Sequence, residues 1–311
     1  FNTFKLEPFK KNDSIFNSEY LKILKDFNIN LLPSTLSINT DYFRQFNKQK
    51  FREVDLAQDN IGIQELFRRN YSFDFQLAIN YPISENLNIN YNIGNNNIVR
   101  NYFVDDQING IQDSELDVWD RFFDIGDPNR QVQQVAINYD IPFNKIPTFN
   151  FIKTTYSYTG DYQWQKGSDL FGNLTLNGQT YDLGNSVSNA NTHNVNSVFD
   201  LQKFYRYIGL TKSNRNSDNK STRGFSNNSE TKKINPILKS FIDLITSTKR
   251  IQINYSENNG SYLPGFLRTP GFIGSFTPSI GYVFGSQKDI RYLAARNGWL
   301  TVFPEFNQQF S

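Results

Sequence analysis

Hydrophobic and polar residues alternate strictly through several stretches of this chain. Between 71 and 81, every odd position is aromatic or aliphatic, and every even position is small or polar. Successive side chains of a β-strand point to opposite faces, so this stretch is predicted to be a strand with one apolar and one polar face. Similar alternation predicts six more strands, three of them from weaker runs: 87–93, 135–141, 152–164, and the weaker 34–42, 195–201 and 249–255.

The alternation assigns candidate residues to each face. The apolar candidates are Tyr71, Phe73, Phe75, Ile137, Tyr139, Tyr156 and Tyr158. The polar candidates are Asp74, Gln76, Asn80, Asn88, Asn90, Asn138 and Lys153. A polar face rich in amides and hydroxyls is typical of a wide aqueous passage without strong charge selectivity. It is also typical of the solvated face of a soluble antiparallel sheet.

Connection lengths distinguish these two possibilities. Short connections at 82–86 and 142–148 alternate with long ones at 43–70, 94–130 and 165–186. Outer-membrane barrels have short periplasmic turns and long extracellular loops. The pattern therefore predicts an all-β fold, a segment of a very large antiparallel transmembrane β-barrel with long extracellular loops. In this reading the seven apolar candidates face lipid and the seven polar candidates face the lumen.

The predicted strands, about seven, are too few to close such a barrel, and seven is an odd number. Bacterial barrels have an even number of strands, roughly eight or more. An open sheet in lipid would leave unpaired backbone groups at its edges. The chain starts with Phe1 and contains no Met. We therefore expect it to be a segment of a longer polypeptide whose other strands complete the barrel.

The remaining regions follow from the same pattern. Residues 1–33 form a lead-in segment of uncertain role, and 34–201 contains the strands with their long loops. The basic stretch 202–248 is predicted to be a partly helical periplasmic insert, with a helix over 236–246 that starts at the favourable first position Pro236. A further strand is predicted at 249–257. The Gly/Pro-rich stretch 258–311 is predicted to be an irregular loop, either extracellular or filling the lumen.

Composition agrees with a membrane barrel better than with a helical membrane protein. The chain contains 29 Phe and 17 Tyr among 311 residues, yet its mean hydropathy is -0.57. No stretch approaches the roughly 20 apolar residues that a membrane helix needs. Barrels place half of their strand residues in water and concentrate aromatic residues at the lipid headgroups. Lipid or lipopolysaccharide is therefore an expected partner, and a formal net charge of +2 gives no support for nucleic-acid binding.

Candidate chemistry is sparse. The chain has one histidine, His193, and no cysteine, so neither a zinc site nor a catalytic dyad is indicated, and no phosphate- or dinucleotide-binding motif is present. We predict that the chain is not an enzyme and has no cofactor. The acidic stretch 105–127 could hold calcium. A short loop helix capped by Ser114, with Trp119 and Phe122 on its apolar face, is the favoured interpretation.

Several long strings, in this order, resemble one known family. They are NTDYFRQFN (39–47), NNNIVRNY (95–102), VWDRFFDIGDPNR (118–130), INYDIPFNKIPTFNFIKTTYSYTGDYQWQ (137–165), NYSENNGSYLPGF (254–266) and PSIGYVFGSQKDIRYLAARNGWL (278–300). Together they resemble the SprA/Sov family, the outer-membrane translocon of the type IX secretion system in Bacteroidota. The resemblance covers most of 34–311, and is poor over 1–33 and 203–233.

The resemblance implies a function and a set of partners. It implies a very large single-chain barrel in the bacterial outer membrane that exports folded proteins to the cell surface, with a role in gliding motility. The implied partners are the remainder of the same barrel, secreted cargo proteins, a PorV-like small barrel and a periplasmic plug protein. It carries over no catalytic residues. Two alternatives stay open: a nutrient transporter barrel of the TonB-dependent type and a soluble β-rich surface adhesin module.

Overall fold

The computed structural model describes residues 4–10, 18–50, 66–99, 117–169, 172–211, 236–303, 306 and 309–310. The strands are β1 (Lys5–Leu6), β2 (Ile29–Asn30), β3 (Thr35–Gln49), β4 (Leu66–Pro82), β5 (Leu87–Val99), β6 (Asp127–Ile141), β7 (Ile152–Gln165), β8 (Asn173–Leu176), β9 (Gln179–Asp182), β10 (Asn185–Asp200), β11 (Arg250–Phe266) and β12 (Gln309–Phe310). The helices are α1 (Lys22–Lys25), α2 (Leu201–Tyr207), α3 (Pro236–Thr246), α4 (Ile280–Val283) and α5 (Arg291–Arg296).

One antiparallel sheet of eight strands dominates the structure. Its order is β12-β11-β10-β7-β6-β5-β4-β3, so sequential strands are neighbours wherever the loop hairpin β8–β9 does not intervene. This confirms the predicted all-β, antiparallel class. Among the described residues β3 and β12 do not pair with each other, and the sheet is open. The hairpin β8–β9 turns at Asn177 and Gly178, both at positive φ, as its two-residue turn requires.

The strand ends are staggered in a regular way. One row of paired residues runs through Tyr81, Ile89, Ile137, Tyr158 and His193. Pro82 lies one residue below this row and Asp200 lies seven below it, so the ends descend by six residues over the four steps from β4 to β10. Six residues correspond to about 20 Å along a strand, and four steps to about 19 Å across the sheet. The line joining the lower ends, at the short turns, therefore crosses the strands at about 45°.

The strands are longer than their alternating patterns suggest. β5 continues to Val99 and β6 already begins at Asp127, inside the connection expected at 94–130. β11 continues to Phe266, so the expected end at 257 was wrong by nine residues. In all three places the residues that share the apolar face change to Asn, Gln or Ser, and the alternation disappears although the backbone remains extended. Backbone pairing continues because the ladder does not depend on side-chain polarity.

The helical insert agrees with the prediction where the structure describes it. α3 spans Pro236–Thr246, as expected, while residues 212–235 lie outside the described part of the chain. Asp200 caps α2 by accepting a hydrogen bond from the backbone N–H of Lys203 at 3.2 Å. The Tyr205 hydroxyl donates to the Ile245 carbonyl at 2.9 Å. This bond ties α2 to α3 below the lower ends of β10 and β11.

The loop helix expected near 114–123 is not formed in its described part. Residues 117–123 form turns whose N–H groups bond three residues back, as from Phe122 to the Trp119 carbonyl. Ser114 and most of the acidic stretch lie outside the described residues. Arg44 explains the turns, since its guanidinium donates to the carbonyls of Phe122 at 2.7 Å and Asp124 at 2.6 Å. These tertiary hydrogen bonds hold the loop over β3 and β4 as a series of turns, although its local sequence favours a helix.

Residues 267–303, called here the covering segment, lie across the upper part of the apolar face. The segment contains α4 and α5 and buries two clusters. One combines Trp164, Val187, Leu263 and Tyr282 with their neighbours, and the other contains Phe73, Phe75, Leu77 and Ile93. The irregular segment predicted at 258–311 thus begins after Phe266 and packs on the face opposite to the polar residues. Among the helices of the described residues, none has the length and apolar character that crossing a bilayer requires.

The lead-in residues pack at the lower end of the sheet. The Tyr81 hydroxyl donates to the Asn30 carbonyl at 2.8 Å, and the backbone N–H of Glu85 donates to the Asn28 side chain at 3.1 Å. Lys5 forms an ion pair with Glu85 at 2.8 Å. The described part of 1–33 therefore covers the short β4–β5 turn.

Gly160→Ala is expected to loosen the covering segment. A Cβ at this position would lie 2.6 Å from the Phe284 carbonyl oxygen, a contact that costs about 1–3 kcal/mol. Limited proteolysis should cut between 267 and 303 about tenfold faster or more, because cleavage follows the population of the open form. Gly281→Ala is the control, since its Cβ would meet Ser286 at an ordinary 3.5 Å. Equal cleavage rates in the two variants would show that Gly160 is not a close-approach position.

Candidate functional site

The register places the fourteen candidate residues on two opposite faces, as the alternation predicts. Asp74, Gln76, Asn80, Asn88, Asn90, Asn138 and Lys153 share one face. Tyr71, Phe73, Phe75, Ile137, Tyr139, Tyr156 and Tyr158 share the other. Cross-strand pairs such as Asn80 with Asn90 and Asn88 with Asn138 join polar residues to polar residues. The sheet is therefore two-faced over its whole width, with a polar face and an apolar face.

The polar face is concave. A depression of about 870 Å³ lies on it and is lined from six adjacent strands, β4 to β7, β10 and β11. Its lining includes the small residues Ala78, Gly94, Ala190 and Gly260. The small side chains at these positions leave the middle of the polar face lower than its surroundings. The polar residues thus line a broad depression shared by six strands.

Charges on the polar face nearly balance. The basic residues are Arg68, Arg130, Lys153 and Arg250, and the acidic residues are Asp41, Asp74, Asp140, Asp161 and Asp200. Several of the acids accept hydrogen bonds from neighbouring amides, as Asp161 does from Gln134 at 2.7 Å and Asp74 from Asn96 at 2.8 Å. A surface with this balance exerts no strong field of one sign on a solute passing it.

The apolar face has an uncovered lower zone, called here the belt. Its members are Leu36, Ile38, Ile79, Ile89, Ile137, Tyr139, Tyr156, Val195, Phe199, Ile251, Ile253 and Tyr255. None of these side chains is buried, and Ile38 and Ile253 are 61% and 53% exposed. The belt crosses seven strands at the level of the lower strand ends. The hydrogen-bonded hydroxyls of Thr154 and Ser197 and the His193 ring lie among these residues on the same face. A largely apolar surface of this extent marks a site of contact with a partner or a membrane.

The belt ends where buried residues begin on the apolar face. The first buried residue above the belt is Leu77 on β4, Ile93 on β5, Gln133 on β6 and Asn191 on β10; these lie five, six, eight and nine residues above the lower ends of their strands. Above the belt the apolar face also contains a buried polar group: Asn95, Asn97, Gln131, Gln133, Asn189, Asn191 and Ser261. Counted from the row through Tyr81, Ile89, Ile137 and His193, the four boundary residues lie four, four, four and two positions higher. The boundary therefore runs nearly straight across the strands and does not follow their slanted lower ends.

The buried amides fasten the covering segment to the sheet. Asn189 donates to the carbonyls of Tyr282 and Ser286, each at 2.8 Å, and Asn191 donates to Gly285 at 2.6 Å. Gln131 donates to the Gly271 carbonyl at 2.7 Å. Asn95 donates to the Phe272 carbonyl. Irregular backbone in a buried position needs such donors, so these amides replace the secondary structure that the segment lacks.

Aromatic side chains add polar anchors of the same kind. Trp164 donates its indole N–H to the Arg268 carbonyl at 2.9 Å, and the Tyr162 hydroxyl donates to the Thr277 carbonyl at 3.2 Å. The Tyr158 hydroxyl donates to Phe284. On the covering segment itself, burial raises the pKa of Tyr282 to about 12, so its hydroxyl stays neutral beside Ser261. Four strands therefore contribute donors to one segment.

The assignment of Tyr71, Phe73 and Phe75 to lipid contact requires correction. Their side chains are buried by the chain itself, Tyr71 completely. The Phe272 ring packs on Phe75 with centroids 4.6 Å apart, and the Tyr71 hydroxyl donates to the Val118 carbonyl of the loop above β4. These three residues share the apolar face as predicted, but they lie above the belt, where the chain's own loops cover them.

The other four apolar candidates lie in or at the edge of the belt. Ile137, Tyr139 and Tyr156 lie below the covering segment, and Tyr158 contacts it through Phe284. Tyr156 also bonds His193, with its hydroxyl 2.8 Å from Nδ1. Within the described residues no three His, Cys, Asp or Glu side chains gather closely enough to hold a metal ion. These four candidates thus belong to the apolar contact surface.

Sequence reasoning missed the buried amides and the aromatic residue Phe272. The signal was present: Asn95, Asn97, Gln131 and Gln133 continue the two-residue period of the apolar face, with amides in place of apolar residues. The chain matches no protein-family model, and no curated protein matches it either. The geometry of the two faces is therefore the basis for the functional proposal.

Asn189→Leu is expected to release α4 from the sheet. The variant would leave the Ser286 carbonyl without its donor, at about 1–3 kcal/mol, and would remove one of the two donors to the Tyr282 carbonyl, which keeps the Gly285 N–H. Amides of 280–290 should then exchange with deuterium on the order of 30-fold faster in a mass-spectrometric experiment. Asn92→Leu, at an exposed position on the polar face, is the control and should leave this exchange unchanged. Unchanged protection in Asn189→Leu would contradict the fastening role.

Proposed function

We propose that this chain is a wall section of a protein-conducting β-barrel channel in the bacterial outer membrane. Its concave polar face lines the aqueous lumen, and its belt faces the lipid. The observation that supports this proposal is the combination of a concave polar face with an apolar belt on the opposite side. A soluble antiparallel sheet would not leave such a belt uncovered, because protein must cover its apolar face along the whole length.

The slant of the strands supports the barrel. Strands of closed barrels tilt by about 35–45° from the barrel axis, and the lower strand ends here cross the strands at about 45°. The belt covers five residues at the lower end of β4, six on β5, eight on β6 and nine on β10, and it is widest where it approaches the roughly 9–11 residues that a tilted membrane strand needs. The line of the lower strand ends then lies parallel to the membrane plane.

Strand length divides the wall into two parts. The seven long strands contain 13 to 17 residues, several more than the bilayer requires. Only the lower part leaves its apolar outer side uncovered by the chain's own residues. In the proposal the upper part rises above the membrane on the side of the long loops, where the covering segment shields its outer face.

Closure requires further strands. Unpaired backbone groups cost several kcal/mol each in hydrocarbon, and the sheet has two edges among the described residues. The remainder of the same large barrel is the proposed partner at both edges. A barrel that needs more than these strands has a lumen wide enough for water and solutes, with the covering segment outside it.

The export of folded proteins is the activity that the lining supports best. A nearly neutral, amide-rich surface binds no single class of solute strongly, and a conduit for varied proteins needs this property. The resemblance to the SprA/Sov family adds the type IX secretion pathway, gliding motility, secreted cargo, a PorV-like small barrel and a periplasmic plug protein to the proposal. The wall acts passively, by excluding lipid on one side and holding water on the other.

Arginine substitutions distinguish the two faces. Ile137→Arg would place a charge in the middle of the belt, at a cost of about 2–4 kcal/mol if the belt contacts lipid. Asn138→Arg, one residue further on, points to the polar face and should be tolerated. The measurement is the amount of protein assembled in outer membranes after carbonate washing. Loss of assembly in Asn138→Arg with normal assembly of Ile137→Arg would invert the face assignment.

Site-specific photo-crosslinking tests the export function itself. A photoreactive phenylalanine analogue at Gln134, on the polar face, is expected to capture secreted proteins in living cells. The same analogue at Ile137 should capture no secreted protein. Capture at Gln134 of a plug domain from the same polypeptide, with no secreted protein, would favour the nutrient transporter instead. Release of the native polypeptide by carbonate would reject the membrane barrel and leave the adhesin module.

A further inference from the structure

The covering segment exposes apolar side chains at the upper border of the belt. Phe272, Ile273, Phe276 and Ile280 are all exposed, Ile273 by 65% and Ile280 by 61%. Their height is set by their neighbours: the Phe272 ring packs on Phe75, seven residues above Pro82. These four residues, called here the apolar rim, thus continue the belt onto the covering segment.

Basic side chains lie further up on the same segment. Between 267 and 303 the basic residues are Arg268, Lys288, Arg291 and Arg296, and the only acidic residue is Asp289. All four basic side chains are exposed. Ile290 packs into the cluster around Val187, and Gln287 donates to Asn189 at 3.3 Å. Val187 and Asn189 lie thirteen and eleven residues above Asp200.

The vertical order fits a lipid monolayer with phosphorylated headgroups. The rim lies beside Phe75 and beside Tyr162, whose hydroxyl bonds the Thr277 carbonyl next to Phe276; these two residues lie seven and ten residues above the lower ends of β4 and β7. Lys288, between Gln287 and Ile290, lies at the level of Asn189 and Val187, on average about three to four residues higher, which is roughly 8 Å along the membrane normal for strands tilted by about 45°. The headgroup layer of a bilayer is roughly 5–8 Å thick on each side, so a rim at the acyl boundary would place Lys288 at the level of the phosphates. Arg291 is held by Asp289 at 2.7 Å. Arg296 lies at the end of α5 near Trp299, whose carbonyl accepts from Leu267 beyond the top of β11, so Lys288 is the main candidate.

We propose that the covering segment binds phosphorylated lipid of the outer leaflet, with the apolar rim among the acyl chains and Lys288 at the phosphates. The inference rests on the proposed function, because it requires the belt to lie in the bilayer. The segment then acts as a collar that fixes the height of the wall in the membrane. Its irregular backbone stays rigid under this contact because the buried amides fasten it to the sheet.

Spin labels locate the rim in the native polypeptide. This sequence contains no cysteine, so nitroxides can be attached at Phe276→Cys, Ile137→Cys or Gln134→Cys once any cysteines elsewhere in the native polypeptide have been replaced by serine. Oxygen reports exposure of the nitroxide to lipid, and a water-soluble nickel chelate reports its exposure to water. The nitroxides at 276 and 137 should collide more often with oxygen than with the chelate, and the nitroxide at 134 more often with the chelate than with oxygen. Nickel access at 276 with oxygen access at 137 would overturn the collar and leave the barrel intact. Shelter from both agents at 276 would show that protein covers the rim, and would also overturn it. Nickel access at 137 would instead reject the barrel assignment itself.

Lipid binding tests Lys288. The variant Lys288→Gln should bind bisphosphorylated lipid A about fivefold more weakly than the unchanged protein. Binding of lipid A without phosphates should be equal in both proteins. Lys203→Gln, at the opposite end of the sheet, is the matched control and should bind normally. Equal affinity for bisphosphorylated lipid A, or an equal loss with the phosphate-free lipid, would contradict the phosphate contact.

Discussion

Each long strand of the sheet is bonded to its neighbours through an antiparallel ladder, and that ladder determines which side chains lie together. A shift of one residue in any pair would exchange the two faces of a strand. From β3 to β11 the register keeps aromatic and aliphatic residues beside one another and amides beside amides. The belt, the concave polar face and the attachment of the covering segment all depend on this alignment.

The upper part of the apolar face shows how buried polar groups can specify a structure. Amides such as Asn95, Gln131 and Asn189 would be costly under protein without partners. The covering segment has the complementary requirement, since its irregular carbonyls need donors. Each therefore satisfies the other, and only one placement of the segment aligns several donors with their acceptors. Hydrophobic packing around Trp164 and Tyr282 adds stability at this position, while the hydrogen bonds select it.

The proposed channel works by separating environments. In the proposal, the apolar belt contacts hydrocarbon and the polar face contacts water. The backbone N–H and C=O groups of the sheet between them are hydrogen-bonded to neighbouring strands. Such a wall requires no acid–base pair and no bound ion. In the proposal, the upper ends of the long strands rise above the bilayer, where the covering segment meets both the wall and the membrane surface. One continuous sheet would thus meet three surroundings: lumen, lipid and the exterior.

The sequence alone determined the strands, their two faces and the helix at Pro236, because these depend on local periodicity. It also separated all fourteen candidate residues correctly into two sets. It could not show that Tyr71, Phe73 and Phe75 are covered, or that β5, β6 and β11 extend past the alternating stretches. Those features depend on residues far apart in the chain, since Phe272 covers Phe75 and the carbonyls of Tyr282 and Ser286 accept from Asn189. Tertiary contacts of this kind decided how much of the apolar face remains uncovered, because periodicity records the direction of a side chain and carries no information about what packs against it.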